Sequence, residues 1–594
     1  MDNTTLTQKL GVPKQTLNTL SFAESTEKGV ARWIENLPKA NIGETARQLY
    51  QGLIELNQLK LAPDKRLPLL ELIRPEVHFV CTALSRYYLS QSIVLEDRPR
   101  KVANLSQALQ NHLAAGYKVI VTQERLIKPR ERAALLAVAI QRALRALTGP
   151  LLRAYQLYCP VADNLWLEAH QLYLLAHTHK LQDLPIRDSE SVNGRTLSIQ
   201  QSYVALLLMG AARPNQIRQS AMARVMTQLE DWSRLARLVE ADSPQAMFIV
   251  NPDVDYPPRY RSMLQDENMA GNFGLDTREL VNTLTQYLLD SPASGKVHMP
   301  EGLGIDLLQH LGQSWGDLAE RTFDRIPGRG ELRVTIGMTA THFQLAGKSF
   351  VKFIDIEDVK PFSAESQRPT KEGWSLAFDG DKSVDWPRND VEQIDYTSSN
   401  NIDSSDDEQS EHYQVHSLKI VNHSPNGFCL TWPREVPKQL QAGELLGVQE
   451  EIDHSWSLAV VRWIRQIRGG GTQMGIELIA PHCSPCAIKL LRNSEEPSRY
   501  LRALMIPEVT ALDQPPTVIT PRLPFQLNSK VMLLLGSQEV RAQLVKRITT
   551  TGSFSQFQHQ IRTLPEATTE QNEKSDTKLT INLDDDFDSL WKSL

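Results

Sequence analysis

The chain has 594 residues, too many for one hydrophobic core, so several domains are expected. Its 64 Lys and Arg against 70 Asp and Glu leave a formal net charge of −6, which argues against general nucleic-acid binding driven by phosphate attraction. Cys81, Cys159, Cys429, Cys483 and Cys486 are scattered and odd in number, which argues against a disulfide framework and suits a reducing cytoplasm.

Met1–Lys9 is polar without an apolar signal core, and no run approaches the ~18 consecutive apolar residues of a membrane span. Residues 1–40 read as a polar arm on the surface, with Val30, Trp33, Ile34 and Leu37 at helical spacing as a docking stripe. Residues 41–300 read as an α-helical domain. Apolar residues recur at three and four through Val77–Leu89, Val102–Val121, Ala133–Leu157, Asn164–Leu181, Gln200–Ala212 and Gln216–Val239. No clean repeat period emerges, although some helix pairs look loosely like tetratricopeptide hairpins. His78, His112, His170, His177 and His179 lack metal-ligand spacing, so no metal is expected. Gln245–Val250 reads as a short strand, and Asn251–Pro258 breaks structure as a candidate hinge. Thr277–Leu289 and Gly304–Glu320 read as two further helices.

The second of these runs into Arg321 and Arg325, an R-x-x-x-R pair. Leu332–Met338 and Thr341–Ile354 follow as expected strands. The segment 355–411 then carries 16 Asp or Glu against 5 Lys or Arg, a composition too polar to bury a core. It reads as a disordered insertion, either a solvated loop or an anionic flap that competes for the arginines. Ser417–Val421 and Phe428–Trp432 are apolar runs flanking the turn Asn422-His423-Ser424-Pro425-Asn426-Gly427, a strand–turn–strand pattern. Gly427 lets the backbone bend sharply or a flat ligand approach. Trp456–Ile467 and Gln473–Ile479 read as a hairpin joined at Arg468–Gly471. Its glycine triplet lacks the Lys-Ser/Thr of a P-loop. Arg462, Arg465 and Arg468 read as surface charges in preference to phosphate ligands. The C-x-x-C at Cys483 and Cys486 lacks a second ligand pair, and reads as incidental. Residues 483–562 are mostly short strands, either a second small barrel or an extension of the preceding sheet. Residues 563–594 form an acidic flexible tail whose Phe587, Leu590, Trp591 and Leu594 make a short amphipathic peptide, docking in a partner groove or on the chain itself.

The arginine pair, the N-x-S-x-x-G turn and the strands around Trp463 and Met474–Leu478, in that order, resemble the PilZ domain, a small β-barrel that binds the bacterial second messenger cyclic di-GMP. The resemblance spans roughly residues 318–482 and departs from the family at the 355–411 insertion. It implies an α+β multidomain chain: an N-terminal α-helical domain, a PilZ-like antiparallel β-barrel over 301–482 and a further small β segment. It also implies a cyclic di-GMP site at Arg321, Arg325, Asn422, Ser424 and Gly427. Arginine forks would grip guanine and phosphate, with Asn and Ser at a guanine edge. No GG-D/E-F, E-A-L or H-E-x-x-H run is present, so no catalytic residue is assigned. The implied role is a non-catalytic receptor, cytoplasmic and recruited to a cell pole. It would regulate type IV pilus motility through a protein partner held by the helical domain or the tail. The helix entering the arginine pair would report binding. The alternative is a scaffold with a degenerate, non-binding PilZ-like barrel.

Overall fold

The computed structural model describes residues 3–89, 91–191, 196–264, 269–289, 303–317, 325–354, 413–433, 435–451, 454–491, 498–508 and 514–561. Arg321, the acidic insertion and the C-terminal tail lie outside the described residues.

The first part is helical: α1 (Asn3–Lys9), α2 (Glu27–Glu35), α3 (Ile42–Gln58), α4 (Pro63–Ser85), α5 (Asp97–Thr122), α6 (Pro129–Gln156), α7 (Leu165–Thr178), α8 (Ile199–Ala211) and α9 (Gln219–Trp232). A two-stranded hairpin, β1 (Ile186–Arg187) and β2 (Thr196–Leu197), interrupts it. Local chemistry starts several of these helices. Asn41 accepts from the Glu44 amide to open α3, and Ser198 and Gln201 form a capping box on α8. Helix α6 is long and apolar enough to cross a membrane, but two-thirds of its most apolar stretch is buried inside the fold. The first forty residues are not a surface arm: Leu6, Leu10, Leu20, Val30 and Leu37 are buried in the helical core. Val30 and Leu37 belong to the expected docking stripe, with Trp33 and Ile34 packed beside them, whereas Leu6, Leu10 and Leu20 have no such regular spacing.

A buried ionic cluster pins the β1–β2 hairpin to this domain. Asp188 is fully buried, with Arg74 at 2.8 Å, Arg142 at 3.4 Å and Arg145 at 3.5 Å. Burial alone would raise its carboxyl, but Arg142, Arg74 and Arg145 outweigh it and hold it at about 2.

A four-stranded sheet follows, made of β3 (Arg237–Glu240), β4 (Phe248–Val250), β5 (Arg259–Tyr260) and β6 (Phe273–Asp276) in the order β3-β6-β4-β5. Only β4 was expected. The Asn251–Pro258 break is fastened rather than loose, because Asp255 accepts from the amides of Asn164, Trp166 and Leu167 at the start of α7. Helices α10 (Arg278–Leu289) and α11 (Ile305–Trp315) come next. Trp315 donates its indole N–H to the Leu208 carbonyl at 2.9 Å and packs edge-on against Trp232.

The first barrel contains β7 (Ile326–Pro327), β8 (Glu331–Ile336), β9 (His416–Ser424), β10 (Gly427–Trp432), β11 (Leu445–Gln449), β12 (Ser457–Gln466) and β13 (Thr472–Ala480). Strands pair in the order β10-β13-β12-β11-β8-β9, and a β9–β10 pairing closes the ring, with β7 added on β9. Its inner residues, among them Leu332, Leu430, Trp432, Ile464 and Met474, belong to the same hydrophobic cluster as the helices. Gln466 strengthens that join by donating to the carbonyls of Ile93 and Leu157 at 2.7 and 2.8 Å.

The expected strand over Thr341–Ile354 is instead helical: α12 (Gly337–Ala346) and α13 (Phe350–Phe353). Its Thr, Val, Ile and Phe content favours a strand locally. Tertiary packing overrides that preference, because α12 sits between β11 of one barrel and the start of the next. There, His342 lies 3.1 Å from the Cys486 carbonyl.

The second barrel is closed and separate: β14 (Ser484–Leu490), β15 (Leu501–Ile506), β16 (Thr517–Pro521), β17 (Lys530–Leu535), β18 (Gln538–Thr550) and β19 (Phe554–Ile561), ordered β14-β15-β16-β19-β18-β17 around its own core. Burial pushes the Cys483 thiol up to about 12 and raises Cys486 as well. Neither thiol is primed for reaction.

Candidate functional site

Alternation along the first barrel decides which side chains face out. In β10, Leu430 and Trp432 enter the core, so alternation turns Gly427, Cys429 and Thr431 to the other face, where Gly427 and Cys429 are covered by their neighbours and stay buried. In β9, Leu418 and Ile420 point inward, and strict alternation would bury Asn422 with them. A register shift between Cys429 and Leu430 intervenes: Ile420 pairs with Leu430, but Asn422 pairs with Cys429. The bulge therefore turns Asn422 outward. A second shift in β12 does the same for Trp463, which pairs with Gly475 while its neighbours Val461 and Ile464 stay in the core.

These pairings align one outer row across five strands, Pro327–Asn422–Cys429–Gly475–Trp463. Arg325 stands two residues before Pro327 and donates from Nη1 to Asn422 Oδ1 at 3.2 Å. At the other end, Trp463 lies across Gly475. A Cβ on that glycine would sit 2.0 Å from the indole nitrogen. The Arg465 guanidinium is 5.3 Å from the Trp463 ring centroid and donates to Gln473 Oε1 at 3.1 and 2.7 Å. Burial raises the Cys429 thiol, while the charges of Arg325 and then Arg465 pull it down, so both guanidinia act on the middle of the row.

The predicted residues divide. Arg325 and Asn422, 97 positions apart, are brought into contact. Ser424 is on the adjacent outer row, opposite Gly427, and its hydroxyl is 3.5 Å from the Gly427 carbonyl. Arg321 lies outside the described residues. Gly427 needs correction in one respect: it is not in the left-handed region and does not supply a sharp bend. The space a Cβ would fill holds the Ile476 carbonyl oxygen at 2.0 Å, so the missing side chain lets β10 and β13 pair closely. Of the three arginines read as surface charges, Arg468 bonds Asp163 at 2.6 Å, joining barrel to helices, and Arg462 pairs with Glu477 at 2.5 Å. Arg465 is likewise exposed and bonds Gln473. Its place beside Trp463 depends on the β12 bulge, which has no local sequence signal.

The face thus offers two forked cations, an amide, a hydroxyl and an aromatic plane around a floor of small residues. That combination suits a ligand with planar rings and anionic phosphates.

Residues 28–244 match the family model described as cyclic-di-GMP receptor FimW, N-terminal domain. Residues 247–485 match the FimW middle PilZ domain, and 486–562 the FimW C-terminal beta-barrel domain. The cyclic-di-GMP receptor FimW of Pseudomonas aeruginosa is 49% identical over 614 residues, with 100% of both chains covered. No solved structure matches. With three consecutive domains matched and a full-length relative at this identity, the chain belongs to the FimW family of PilZ-containing proteins.

Proposed function

We propose that this chain is a non-catalytic receptor for cyclic di-GMP and that the dinucleotide binds on the outer row of the first barrel. The observation that carries the reading is the Arg325–Asn422 contact, on the same row as Trp463. In this reading Arg325, with Arg321 from the preceding segment, grips a phosphate and a guanine. Asn422 and Ser424 take a guanine edge, while Gly427 keeps the strands close enough to present them. Trp463 and Arg465 supply a stacking surface and a second cation. The full-length relative's printed name supports the choice of ligand.

Binding would exchange the Arg325–Asn422 contact for ligand contacts and change how the chain meets a protein of the pilus machinery, through the helical domain or the tail. Action in the cytoplasm with recruitment to a cell pole belongs to the same proposal.

Isothermal titration with cyclic di-GMP tests it. A charge-assisted contact contributes about 1.5–3 kcal/mol, so Arg325→Ala should weaken binding by about ten- to a hundredfold. Ser424→Ala and Trp463→Ala should each weaken it by about fivefold or more. No heat with the parent chain, or unchanged affinity in all three variants, would sink the proposal and return the scaffold reading.

A further inference from the structure

Away from the outer row, a cavity of about 200 Å³ lies where the helical domain, α11 and the two barrels meet. Four arginines from three parts of the fold line it: Arg218, just before α9, Arg224 of α9, Arg462 of the first barrel and Arg522 of the second. Two are already engaged. Arg218 pairs with Glu444 at 2.8 Å, and Arg462 with Glu477 at 2.5 Å. Arg224 and Arg522 are exposed and join no ion pair among the described residues. Asp306 is the carboxylate in the lining. Gly304 makes room at this point: a Cβ there would lie 2.3 Å from Asp306 Oδ1 and 3.0 Å from Arg522 Nη2.

Two helices also begin at this cavity. The first turns of α9 and α11 contribute to the lining, and neither helix has a side-chain cap hydrogen bond. Their leading amide groups add positive potential to that of the guanidinia. The lining therefore gathers cations against one carboxylate, in a recess where anions are attracted and partly shielded from solvent. Its volume is below the roughly 300–1,000 Å³ of clefts that hold drug-sized ligands, so a whole cyclic dinucleotide does not suit it.

We propose that this junction binds a small phosphate-type anion, with one or two phosphate groups, held by Arg224 and Arg522. Because the cation pair spans the helical domain and the second barrel, the anion ties the two together. Arg462 borders both this cavity and the outer row, so the test uses only residues away from that row.

The probe is sodium diphosphate, with inorganic phosphate as a second arm and sodium chloride at matched ionic strength as the control. Each is titrated into the full-length chain by calorimetry, beside Arg224→Ala/Arg522→Ala. Saturable binding in the parent, weakened tenfold or more in the double variant, supports the site. Absence of binding, equal binding in the double variant, or heat reproduced by chloride overturns it. If the double variant loses its far-UV dichroism, Arg224→Ala and Arg522→Ala are compared separately. Each should weaken binding threefold or more, and unchanged affinity in both overturns the proposal.

Discussion

Substituting Gly427 by alanine tests what the glycine of the N-x-S-x-x-G turn does. The new Cβ would lie 2.0 Å from the Ile476 carbonyl oxygen and 3.1 Å from the Glu477 Cα. Carbon–oxygen contacts normally sit at about 3.3 Å or beyond. Strands β10 and β13 would have to part by about 1 Å at a position where Gly427 pairs with both Ser424 and Glu477. Overpacking that side chains can absorb costs about 1–3 kcal/mol. Here the obstacle is backbone, so the upper end, about 3 kcal/mol, is expected. Urea denaturation followed by tryptophan fluorescence measures it. Ser424→Ala is the comparison: it removes one part-buried hydroxyl with a long contact, and should stay within about 0.5 kcal/mol of the parent while still weakening cyclic di-GMP. If Gly427→Ala were as stable as the parent yet failed to bind, the glycine would serve the ligand directly and the strand-packing argument would be wrong.

Acid should destabilise the helical domain. His170 is buried between the Tyr203 hydroxyl at 2.6 Å and the Tyr256 carbonyl at 2.9 Å, and burial lowers its pKa from 6.5 to about 4. Below 6.5 the unfolded chain takes up a proton that the native state refuses, so stability falls as pH drops from about 6.5 to about 4, by roughly 3 kcal/mol in all. Equilibrium unfolding across this window checks it, and a flat profile would refute it. Burial lowers His78 and His342 in the same direction. Asp188→Asn leaves Arg74, Arg142 and Arg145 around a neutral amide and should cost about 3–5 kcal/mol. Glu71 also lies 3.5 Å from Arg74 and 3.0 Å from Arg142, and Glu230 2.5 Å from Arg145, so a loss below about 0.5 kcal/mol in urea denaturation would show that these two carboxylates balance the cations unaided.

Much of the architecture was readable because its signals are local. Asn41 and Ser198 mark helix starts through hydrogen bonds that span three residues. Apolar spacing of three and four revealed α5 to α9, and the short extended runs over 483–562 revealed strands of the second barrel. The Arg325–Asn422 juxtaposition was legible only through the PilZ resemblance, since nothing in the spacing of 97 residues fixes a contact.

What stayed hidden depends on partners that are remote in the chain. Thr341–Ile354 carries strand-forming residues, yet it is helical where α12 meets two barrels. Leu6, Leu10 and Leu20 look like stray apolar residues until distant helices cover them. Asn422 and Trp463 face outward because register shifts interrupt the alternation of β9–β10 and β12–β13, and a register shift exists only between two strands. Residue identity and short-range periodicity therefore decided which segments coil or extend and which side chains carry the chemistry. The pairing of β7, β9, β10, β13 and β12 alone decided that Arg325, Asn422 and Trp463 share one face, because a side chain's direction is set by the neighbour across the ladder.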